Sequence, residues 1–81
     1  MLGKTAVNKT FYNQICVERV VNGEKVYTPI AGLYANVPEG TKIPSNINVN
    51  VMDQALYNAN ADMVAEDYKA FQAEIEKAIN Q

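Results

Sequence analysis

The chain has 81 residues, a single cysteine and a net charge of −2. This length holds one domain, the lone Cys16 excludes an internal disulfide framework, and the acidic balance argues against broad binding to phosphate backbones. Hydrophobic residues make up 48% of the chain and charged residues 20%, enough apolar material for residues 1–81 to fold as a single domain.

A domain this small is only marginally stable alone, so help from a partner chain is a natural expectation. Met1-Leu2-Gly3-Lys4 starts no long apolar run, which predicts a cytoplasmic protein with no membrane span. Ten asparagines and six lysines reflect AT-rich codons. The composition resembles that of short reading frames from low-GC bacteria, mobile elements and phages, and no motif identifies a family.

Residues 1–9 are polar and unpatterned and predict a loose N-terminal arm. TFYNQICVERVV, from Thr10, is rich in aromatic and β-branched residues and reads as a strand. Asn22-Gly23 follows, a strong hairpin signal because both residues tolerate positive φ. EKVYTPIAGLY is the return strand. A two-residue loop would pair Val21 with Glu24 and Glu18 with Tyr27. A four-residue loop would pair Val21 with Val26, Val20 with Tyr27 and Val17 with Ile30. Better matched partners favour the second; turn geometry favours the first. The four-residue loop is the expectation adopted. Pro29 cannot donate to a ladder and predicts an edge or a bulge. Gly32 is a candidate bend.

Val37-Pro38-Glu39-Gly40 reads as a β-turn with Pro second and Gly fourth. Residues 46–51 then alternate, with Ile47, Val49 and Val51 on one face and Asn46, Asn48 and Asn50 on the other. This predicts a third strand with one buried face.

Past Met52 the period changes. Tyr57, Ala61, Val64, Tyr68, Phe71, Ile75 and Ala78 recur at alternating spacings of four and three, which makes one apolar stripe on a helix. Asp53 is placed to cap it. The pattern predicts one long helix over about residues 54–79, roughly 39 Å long at 1.5 Å per residue. Asn58 and Asn60 are poor helix formers, so a break at 58–61 is the alternative. A helix so shortened spans roughly 27 Å and fits its own sheet more closely.

The expected fold is therefore α+β: a small three-stranded antiparallel sheet, ordered β-β-β-α, packed against the C-terminal helix. A long helix would overhang so small a sheet, and a heptad-like stripe is what paired helices need. Both points predict a homodimer, an argument that loses most of its force if the helix breaks. The alternative is that the whole stripe is core.

Residues 53–81 carry six acidic and two basic side chains. They read as a solvated face with pairs such as Glu66–Lys69 and Glu74–Lys77, or as an acidic docking face formed by Glu66, Glu74 and Glu76.

The inventory argues against catalysis. Histidine, the commonest general base and metal ligand, is absent, and one cysteine cannot build a zinc site or a Cys-His pair. No catalytic residue, cofactor or metal is predicted, no small-molecule substrate is identified, and Cys16 is expected to be a buried, inert thiol.

The expected function is a non-catalytic protein-interaction module that self-associates through the stripe (Tyr57, Val64, Tyr68, Phe71, Ile75) or a strand edge. One alternative is a phage- or mobile-element-type protein that modulates a host protein through Glu66, Glu74 and Glu76. Another is weak single-strand nucleic-acid binding by Tyr12, Tyr27 and Tyr34 with Lys9, Arg19 and Lys25. The acidic balance disfavours it.

Overall fold

The computed structural model describes residues 1–80. Strands β1 (Asn8–Val21), β2 (Glu24–Pro38) and β3 (Ile47–Val51) form an antiparallel three-stranded sheet in the order β1-β2-β3. Helices α1 (Gln54–Ala59) and α2 (Ala61–Ile79) follow. The expected α+β architecture is present, with a short helix ahead of the main one.

The hairpin closes with the two-residue loop, not the four-residue one. Val21 faces Glu24 and Glu18 faces Tyr27. Asn22 has φ 52° and Gly23 has φ 80°, the two left-handed residues of a type I′ turn, whose twist matches that of the flanking strands. Turn geometry outweighed side-chain matching here.

Carried along the whole hairpin, that register would set Tyr12 opposite Leu33 and turn Leu33 away from the core. A bulge prevents this. Ile15 faces Ala31 and Cys16 faces Pro29, so Ile30 is the extra residue. Both Ile30 and Ala31 point inward and are fully buried. Beyond the bulge Tyr12 pairs with Tyr34, and Leu33, Ala35 and Val37 are buried. Pro29 stands beside the irregularity, where a missing N–H costs least. The register shift sits at Ile30 rather than at Gly32.

The turn after β2 is also one residue later than predicted. The Thr41 N–H donates to the Pro38 carbonyl at 3.2 Å, and Gly40, with φ 85°, fills the third position, which requires positive φ in a type II turn.

β3 pairs with residues 31–35 of β2. The N–H groups of Met52 and Asp53 both donate to the Ile30 carbonyl, at 2.8 and 3.2 Å. The bulge thus holds the point where the chain leaves the sheet. Asp53 has extended backbone, and its Oδ1 accepts from Leu56 N–H at 3.0 Å, which is the predicted N-cap.

The predicted continuous helix divides at Asn60, which has φ −116° and ψ 32°. Its side-chain Nδ2 donates to the Leu56 carbonyl at 2.8 Å, beside its own N–H at 3.1 Å. Asn competes well for backbone partners, which is why it favours helix ends. At the far end Asn80 Nδ2 donates to the Glu76 carbonyl at 2.9 Å and the Lys42 carbonyl at 3.0 Å, tying α2 to the loop after β2.

Val64, Phe71 and Ile75 of α2 are buried with Ile15, Val17, Ile30 and Leu33 in one core. Because β3 spans so little of β2, the hairpin on the turn side of the bulge runs on as a two-stranded arm. Val20 and Tyr27 on it are 70% and 64% exposed. The molecule measures 60 × 24 × 23 Å with a radius of gyration of 16.1 Å, against about 12 Å for a compact chain of this length. Among the described residues no helix is long and apolar enough to cross a membrane.

Candidate functional site

The predicted stripe divides by position along α2. Phe71 and Ile75 are buried and wholly used by the domain's own core. Tyr57, Val64 and Tyr68 instead line a groove of about 470 Å³ together with Val49, Ala61, Ala65 and Lys69. The groove lies over β3, where the helix layer, which packs toward β1 and β2, leaves the inner face of the last strand uncovered. Val64 serves both sides, buried under the helix and bordering the groove.

Two local features build this site. The Asp53 cap and the Ile30 carbonyl position α1 and its Tyr57. The alternation of β3 turns Ile47, Val49 and Val51 toward the helix side. Val49 is central and faces the core side, yet it is 37% exposed. An inward-facing valine on a strand covered on both sides is buried, so this exposure marks the missing neighbour.

The other edge of β3 is unpaired among the described residues. It presents open N–H and C=O groups, and its shortness is the one protection it has. From Asn46 to Met52 the chain has no charge and no proline, two of the devices that blunt an edge. Sequence reasoning missed Val49, Ala65 and Lys69 as site residues. The only signal for them was the brevity and neutrality of the alternating segment.

The other expected surfaces are less coherent. Glu66, Glu74 and Glu76 do not form one face. At 100° per residue Glu74 and Glu76 lie on opposite flanks of α2 and Glu66 points away from the sheet. Glu66 and Glu74 are exposed and Glu76 is half-buried. Neither Glu66–Lys69 nor Glu74–Lys77 closes. The one ion pair among the described residues is Lys25 Nζ to Glu18 Oε1 at 3.5 Å, on the hairpin arm.

Tyr12, Tyr34 and Tyr27 do share the uncovered sheet face, but Lys9 and Arg19 alternate onto the opposite face. Lys25, which shares the tyrosine face, is the ion-paired lysine. Gly32 leaves room on that face: a Cβ there would meet Met52 Cε at 3.4 Å and Tyr12 Oη at 3.6 Å. Cys16 is half-buried rather than buried, because its side chain points to this same uncovered face. No family model matches the chain, and comparison with curated proteins and with solved structures found no similar protein.

Proposed function

We propose that the chain is a non-catalytic protein-interaction module that takes up an added β-strand along the open edge of β3, beside the groove between that strand and the flank of α1 and α2. The observation that carries this reading is Val49, an inward-facing residue left exposed on the floor of an apolar groove. Strand addition satisfies the open edge through main-chain hydrogen bonds, and alternate side chains of the added strand enter the groove. The reading retains the strand-edge route to association and sets aside pairing through the whole helix stripe, since Phe71 and Ile75 are spent on the core. The reading places the protein in the cytoplasm, where the free thiol Cys16 stays reduced.

Val49→Lys tests it. The substitution puts a charge on the groove floor, while the lysine stem still covers the sheet. Affinity capture from the source cell with wild-type and V49K baits should lose the specific partner in the variant. Circular-dichroism melting should show V49K still folded. An unchanged set of captured proteins would refute the strand-addition site.

A further inference from the structure

We infer that the strand received at this edge is β3 of a second copy of the chain, antiparallel to the first about a two-fold axis at Val49. This rests on the strand-addition reading above and names its occupant.

The sequence of β3, Ile47-Asn48-Val49-Asn50-Val51, is a palindrome in polarity. Antiparallel pairing about Val49 places Ile47 opposite Val51 of the other copy, Asn48 opposite Asn50, and Val49 opposite Val49. Residues directly opposite in an antiparallel pair share a face. All apolar side chains therefore meet under the helices, and all asparagines meet on the outer face, where each amide both donates and accepts. A one-residue slip would turn the partner's asparagines into the groove. A two-residue slip keeps the faces but shortens the overlap. The full-length register is thus unique, and it is self-complementary, as a two-fold interface requires.

Charge supports the same occupant. Each chain carries −2, so two copies repel weakly at long range, yet β3 itself is neutral. The one charged side chain lining the groove is Lys69. The two-fold axis runs the helices antiparallel, so the small groove-lining Ala61 and Ala65 of the two copies can approach closely.

Area favours a whole domain over a bare peptide. A standard interface takes about 800 Å² from each partner, roughly one eighth of the 6060 Å² this chain exposes. A five-residue strand alone falls short of that, whereas a second copy also brings its helix flank to cover Tyr57 and Tyr68. The product is a continuous six-stranded sheet with both hairpin arms at its outer ends.

Sedimentation equilibrium of the full chain across a dilution series tests the assignment. The expected mass at high micromolar concentration is twice the 9.0 kDa of the chain, falling to that of one chain on dilution. V49K should weaken association at least tenfold by setting like charges together on the axis. The outer-face variant N48K/N50K, at exposed positions that leave the core untouched, should do the same. N48D/N50K, which sets opposite charges across the seam, should restore it.

A wild-type monomer throughout, or a dimer indifferent to both V49K and N48K/N50K, would overturn the inference. If the wild-type is monomeric but V49K still loses a captured protein, the strand-addition site stands and only its occupant is wrong. If the wild-type is monomeric and capture is unchanged, both fall.

Discussion

The two halves of the apolar stripe on the helices share one spacing but not one fate. Phe71 and Ile75, toward the C-terminal end, lie over the paired hairpin and are buried. Tyr57 and Tyr68, toward the N-terminal end, lie beside β3 and stay half-buried against a groove. The tyrosine hydroxyls suit a wet edge, and the sheet beneath decides how much of each face is covered. A helix face buries only what the opposing layer can cover, and β3 is both the last strand of the sheet and its shortest. An amphipathic stripe therefore reports the capacity to be covered, and the width of the opposing sheet decides how much of it is left for a partner.

Matched truncations sharpen the contrast. Phe71→Ala should be the most damaging, costing about 3–5 kcal/mol through lost burial and the cavity left behind, measured by urea denaturation of the monomeric N48K/N50K background. That is a large part of the roughly 4–12 kcal/mol a chain of this length has in total. Tyr68→Ala in the same background should cost less, about 1–1.5 kcal/mol, because its side chain is only partly buried. In the wild-type chain it should also weaken association, which Phe71→Ala would alter only through loss of the fold. Equal costs for the two truncations would erase the distinction between core half and docking half.

Glu66→Lys, Glu74→Lys and Glu76→Lys together should have the smallest effect. Each should stay within about 0.5 kcal/mol, since surface charges contribute little. Capture of partners should persist, because these residues are spread around α2. Loss of a partner in this variant with retained folding would move the functional surface away from β3.

The hairpin's place at Asn22-Gly23 (though not its loop length), the N-cap and the start of the third strand were legible because each rests on residues within a few positions of one another. Asn22-Gly23 accepts positive φ wherever it occurs, and Asp53 caps the amides directly after it. Asn60 was legible as a weak point for the same reason, though the sequence favoured a continuous helix. The bulge was not legible. It arises from a conflict between a turn at residues 22–23 and a face requirement at Leu33, and is reinforced by amides from Met52 and Asp53 on the Ile30 carbonyl.

The same division applies to the candidate site. The sequence by itself determined the chemistry available: a neutral alternating strand, an apolar helix stripe and no histidine. Only the tertiary structure decided which of these atoms remain open. Exposure depends on how many strands lie under the helix, and that number is set by pairing between distant segments rather than by any local pattern. Asn48 and Asn50 illustrate the point. In sequence they are the polar half of an alternation; in the structure they stand on an unpaired edge with Val49 between them.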